Sequence, residues 1–125
     1  MEEEEDVVIA DTNHLFYNDM LSPSLLKLRI RNTTEYLNWR ITILRRDNFR
    51  CHICTASIKD DKSVRLEVHH AKTFDAICKE NNITNVKGAL TCKEIWSLDN
   101  GISLCHGCHK NIERIRTELK NMFVI

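Results

Sequence analysis

Val64, Leu66 and Val68 alternate with Arg65 and Glu67, a period of two that predicts a half-buried strand running into His69 and His70. Upstream, Leu37, Ile41 and Leu44 recur at helical spacing, widened by Tyr36, Trp39 and Ile43. They predict a helix capped by Thr33 or Thr34 that ends near Asp47-Asn48. Cys51 to Cys54 reads as a tight turn. Thr73 is placed to cap a short helix carrying Phe74 and Ile77, stopped around Asn81-Asn82, and a second short turn covers Asn85 to Leu90. Asp99-Asn100-Gly101 is a turn signal ahead of a second short strand with Ile102 and Leu104. Beyond Cys108, Ile112, Ile115, Leu119 and Met122 mark one face of a closing helix.

These elements fit one α+β domain over residues 23–125, preceded by an acidic arm over residues 1–22 in which Val7 to Ala10 and Leu15 to Tyr17 can dock locally. A chain of 125 residues has a modest core that gains from an extra staple. No run approaches the roughly eighteen apolar residues of a membrane span. Met1 is followed by Glu2 to Glu5, unlike the basic start of a signal peptide, so a cytoplasmic protein that touches no membrane is expected.

The formal charge of zero hides an asymmetry. Residues 1–22 hold seven acids and no Lys or Arg; all eighteen Lys and Arg, against eleven acids, fall in residues 23–125. An acidic head on a body with a surplus of seven positive charges suits a polyanionic partner, or a solvated basic surface with none. The head reads as a solubilising tail, or as a phosphate mimic laid over a basic cleft.

Six cysteines in a reducing compartment argue against disulfides. Cys51-x-x-Cys54 and Cys105-x-x-Cys108 instead have the spacing of two turns that grip one ion, with sulfur at about 2.3 Å from zinc. Four soft ligands select zinc or an iron–sulfur centre over magnesium or calcium, and zinc is the expected ion. A closed four-sulfur site has no open position and is structural. Cys78 and Cys92 lack partner spacing and read as buried or free thiols, and His52 and His106 as exposed residues inside the two turns.

His69, His70, His109 and Asn100 remain. The sulfur clamp draws residue 105 towards residue 54, so the strand ending at His70 can pair with the strand starting at Gly101. His69 and His70 then lie on one wall of a cleft and His109 on the other.

The segments "LRRDNFRCHIC", "LEVHH" and "DNGISLCHGCH", in this order, resemble the HNH endonuclease family in its zinc-bearing form common in phages. The likeness covers Trp39 to Asn111. It implies a ββα-metal core, the His-Me finger, flanked here by the N-terminal helix and the acidic arm. By position, His69 and His109 would hold a catalytic divalent ion, His70 would be the general base, and Asn100 would hold the loop carrying that base in shape. Two departures stand out. Ala71-Lys72-Thr73 replaces the usual Ile, basic residue and Pro, and Glu113 stands where some relatives have a third His. Glu113 lies one helical turn after His109, as a weak extra ligand or, the expected use, as a surface carboxylate paired with Lys110 or Arg116.

The chemistry asks for these residue types. Phosphodiester hydrolysis needs an activated water and a sink for charge on the leaving oxygen, and an imidazole with a reference pKa of about 6.5 suits the first. Mg²⁺, Mn²⁺ or another divalent ion on His69 and His109 suits the second. The expected substrate is DNA, its phosphates met by Arg45, Arg46, Arg50, Lys72 and Lys110. The resemblance leaves room for a protein partner in phage packaging or replication, and the chain is expected to act as a monomer. The competing class is a non-catalytic, zinc-stapled DNA-binding or assembly module.

Overall fold

The structure, a computed structural model, describes residues 17–122, apart from the side chains of residues 119, 120 and 122. The acidic run, Val7 to Ala10, Leu15 and Phe16 lie outside the described residues. The fold is a small α+β arrangement with a two-stranded antiparallel sheet, and it divides into two compact units. Among the described residues, no helix is long and apolar enough to cross a membrane.

The first unit comprises residues 17–39 and Lys72–Asn100. Helix α1 (Pro23–Ile30) was not anticipated from the hydrophobic pattern. Its start is local chemistry: Pro23 presets the first turn, and the Ser22 side chain accepts from Leu25 N at 3.3 Å. Helix α2 (Thr34–Arg46) begins here, with the buried Thr33 Oγ1 accepting from Tyr36 N. Thr73 caps α3 (Phe74–Glu80) as its spacing predicts, and Asn85 caps α4 (Val86–Thr91). Leu26, Ile30, Phe74, Ile77, Cys78, Val86, Ala89 and Ile95 form one buried cluster. Tyr17 and Leu21, inside the expected arm, pack against this cluster, and their backbones pair with Lys87 and Thr84.

The face that α2 buries differs from the expected stripe. Trp39, Ile43 and Leu44 are buried, whereas Leu37 is 50% exposed and Ile41 40%. The burial follows the i, i+3, i+7 line through Tyr36, Trp39 and Ile43, because the bulky aromatics gain most from leaving water. Trp39 meets Trp96 edge-on at 6.5 Å and donates its indole N–H to Ser97 O at 3.1 Å.

The second unit comprises Arg40–Ala71 and residues 101–122. Strand β1 (Leu66–His70) pairs antiparallel with β2 (Gly101–Cys105), in a register that sets His69 opposite Ile102 and His70 opposite Gly101. Helix α5 (His106–Met122) follows β2 without a break and packs on both strands. The remaining edge of β2 is covered. Arg46 donates to Gly101 O at 2.7 Å, Asp47 accepts from Ser103 N at 2.9 Å, and His52 N donates to Ser103 O at 2.8 Å. The buried aliphatic side chains here are few: Ile43, Leu44, Leu66, Val68 and Leu104.

The closing helix forms where the sequence predicts it. Ile115 is 42% exposed and Ile112 half-buried, and the side chains of Leu119 and Met122 lie outside those described. At about 100° per residue, Ile115 sits roughly a third of a turn from the line through His109, Glu113 and Arg116. That polar line meets β1.

Candidate functional site

Both ligand clusters lie in the second unit. Cys51, Cys54, Cys105 and Cys108 bring their four sulfurs within 4.8 Å of one another. Cys54 and Cys105 Sγ are 3.7 Å apart, close to the edge of about 3.8 Å for a tetrahedron with bonds of about 2.3 Å. The donor set therefore fits a four-coordinate soft ion. Each Cys-x-x-Cys turn folds back on its first sulfur: Cys54 N donates to Cys51 Sγ and Cys108 N to Cys105 Sγ, both at 3.5 Å. The first turn closes through Thr55, whose φ of 63° is costly for a β-branched residue; Thr55 N donates to Cys51 O and its hydroxyl to Cys54 O.

The electrostatics of the sulfurs are uneven. Burial raises the pKa of Cys51, but backbone donors from Cys54, Cys105 and Ile53 outweigh it and bring the thiol down to about 6. Cys108 is pushed up to about 12 by its neighbour Cys105, by burial and by the other sulfurs. Cys78, outside the cluster, is raised to about 11 by burial and is an inert core thiol; Cys92 is partly buried.

The second cluster is His69, His109 and Glu113, whose ligand atoms also lie within 4.8 Å of one another. One oxygen, Glu113 Oε1, stands 3.5 Å from His69 Nδ1 and 3.6 Å from His109 Nε2. The two imidazoles meet edge-on with ring centres 5.0 Å apart. Two nitrogens and a carboxylate oxygen around one point suit a divalent ion with positions left open. Glu113 also approaches Arg116 at 3.7 Å, so the surface pairing and the ligand geometry coexist.

The sequence gives each side chain its place. Glu67 and His69 are two apart on β1 and share a face, while Leu66 and Val68 occupy the opposite, buried one. His106, His109, Glu113 and Arg116 recur at three- and four-residue steps on α5 and form one stripe. His69 is 5% exposed and His70, at the strand's end, is half-buried.

Glu67 is the residue that sequence reasoning missed. The alternation makes it one of the polar positions of a half-buried strand; in the structure His109 Nδ1 donates to its Oε1 at 2.6 Å and His106 Nδ1 to its Oε2 at 3.0 Å. Burial works to raise its pKa, and the two histidine donors overcome this and hold the carboxyl below its usual range. The contact with Nδ1 fixes the His109 tautomer and turns the Nε2 lone pair towards Glu113, the carboxylate–histidine arrangement that orients metal ligands. The available signal was its position two residues before His69, on the same face. Glu67→Gln is expected to weaken divalent-ion binding about 10- to 100-fold, read by calorimetric titration with Mn²⁺ after the four sulfurs are loaded with zinc. Unchanged affinity would show that His109 needs no such partner.

Asn100 belongs to the first unit, at the end of a 3₁₀ turn (Leu98–Asn100). Its side-chain amide clamps the backbone of Lys72 from both sides: Lys72 N donates to Oδ1 at 2.7 Å, and Nδ2 donates to Lys72 O at 3.0 Å. Of the basic residues expected to meet phosphates, Arg45 and Lys110 are exposed. Three others already face carboxylates: Arg46 pairs with Asp47 at 2.8 Å, Arg50 with Asp60 at 3.0 Å, and Lys72 with Glu80 at 2.9 Å and Glu94 at 2.8 Å. His52 is exposed.

No family model, no curated protein and no solved structure matches this chain.

Proposed function

We propose that this protein is a metal-dependent DNA endonuclease of the HNH type, with a structural zinc on Cys51, Cys54, Cys105 and Cys108. The observation that carries the reading is the convergence of His69, His109 and Glu113 on one point between β1 and α5, with His70 next in the chain. A divalent ion at that point supplies a Lewis acid for the charge that develops on the leaving oxygen.

The chain's own groups divide the rest of the work. His69, His109 and Glu113 form the ligand set, and Glu67 keeps His109 in the ligating tautomer. His70, in the bland reading a structural histidine, takes the proton of the attacking water; the pleat sends its side chain to the face opposite His69, so ligand and base do not compete for one position. Asn100 fixes the backbone two residues beyond His70 through Lys72. Arg45 and Lys110 are the expected phosphate contacts with the least to give up, whereas Arg46, Arg50 and Lys72 would exchange a carboxylate for a phosphate.

The test is conversion of supercoiled plasmid to nicked or linear forms by the zinc-loaded chain with Mg²⁺ or Mn²⁺. Cleavage that starts on adding the ion and stops on chelation is the expected result. Intact plasmid at every ion tested, with DNA still bound, would replace the enzyme with a zinc-stapled DNA-binding module.

A further inference from the structure

Arg116 sits where an arginine is least expected, among the ligands of the second cluster. Its Nη2 donates to His69 Nε2 at 3.2 Å and to Ala71 O at 3.1 Å, and its Nη1 lies 3.7 Å from Glu113 Oε1. A guanidinium has donors only, so the His69 nitrogen facing it must accept, and the ring proton then resides on Nδ1. Nδ1 is the atom turned towards the shared Glu113 oxygen. An imidazole that ligates through Nδ1 must carry its proton on Nε2, which would set two donors against each other at the Arg116 contact. Arg116 and an ion on His69 Nδ1 are therefore rival partners of one ring, and Glu113 is claimed by both.

We propose that Arg116 is a competitor of the divalent ion that, when displaced from His69, becomes the guanidinium clamp on the substrate phosphate; the second half rests on the endonuclease reading. Its place supports both roles. The Ala71 carbonyl that anchors it belongs to the residue directly after His70 in the chain. With a side chain 36% exposed, the fork can turn towards solvent without breaking a packed core. Once the ion has taken Glu113 and the His69 lone pair, the freed donors match a phosphate better than any remaining neighbour, because a planar guanidinium meets two phosphate oxygens at once.

The test uses the full chain with zinc on its four sulfurs, as wild type, Arg116→Gln and Arg116→Lys. Calorimetric titration with Mn²⁺ alone should show Arg116→Gln binding the ion about three- to tenfold more tightly, as removal of one charge-assisted contact predicts. Nitrogen NMR of wild type should show the His69 proton moving from Nδ1 to Nε2 on adding Zn²⁺, used as the diamagnetic probe, beyond the sulfur equivalent. At saturating Mn²⁺, plasmid cleavage by Arg116→Gln should fall about 10²-fold, with Arg116→Lys between it and wild type. Equal or weaker Mn²⁺ binding by Arg116→Gln, or a His69 tautomer that does not change, would overturn the competition. Full cleavage by Arg116→Gln at saturating ion would overturn the phosphate clamp. A wild type that binds Mn²⁺ yet cuts no DNA would sink the endonuclease reading and the clamp with it, while the titration and NMR results would still decide the competition.

Discussion

His70→Ala is expected to lower plasmid cleavage at saturating Mg²⁺ or Mn²⁺ by about 10²- to 10⁴-fold, the range for losing a positioned general base. The argument starts from the strand. His69 and His70 are consecutive on β1, so the pleat sends them to opposite faces, and His69 is committed to the Glu113 cluster. His70 is the strand's last residue, in register with Gly101, and the backbone two positions later is held by both ends of the Asn100 amide. His70 is half-buried at the end of the strand face that carries Leu66 and Val68, so the substitution should shift the melting temperature by only a few degrees and leave Mn²⁺ affinity unchanged. Equal cleavage by variant and wild type would remove His70 from the chemistry, whatever the state of the ion site.

The second large effect concerns folding. Cys108→Ser, or a strong zinc chelator, is expected to unfold the second unit, seen as loss of amide-exchange protection in β1, β2 and the first turns of α5. Among the described residues, five buried aliphatic side chains make a thin core, and Cys51, at 1% exposure, is itself part of it. Structural zinc sites in small domains contribute on the order of 10 kcal/mol or more to folding. Without the ion, Cys51, whose thiol is brought down to about 6, is left buried near Cys54 and Cys108, whose thiols are held above their usual range. Protection in α3 should persist, because Phe74, Ile77 and Cys78 belong to the apolar cluster of the first unit, which holds no proposed metal ligand. Survival of β1 and β2 protection with all four thiols open to titration would show that the sulfurs are incidental.

Much of the candidate site was legible beforehand because its signals are local. Two Cys-x-x-Cys turns need only a few residues of chain to present paired sulfurs, and the alternation ending in "LEVHH" identifies a strand from its own side chains. Thr73 announces its helix for the same reason, since a cap acts over three residues, whereas Asn85 reads from the sequence only as the start of a short turn and caps α4 in the structure. Less legible was which face each element buries. The apolar line Leu37, Ile41, Leu44 and the line Tyr36, Trp39, Ile43 both have helical spacing, and only the partners that the aromatics find select between them. The same holds for α5, where a run of Ile and Leu at helical spacing competes with a polar stripe.

The sequence by itself determined which cysteines and histidines are candidate metal ligands, the two strands and the order of the elements around them, because spacing along a chain fixes what a single turn or pleat can present. Only the tertiary structure decided that Glu67 contacts His109, that Glu113 faces both imidazoles and that Arg116 donates to His69. Those contacts join residues roughly forty to fifty positions apart, except where α5 supplies both partners. They depend on the strand register and on the rotation of α5, which are set by packing rather than by any local pattern.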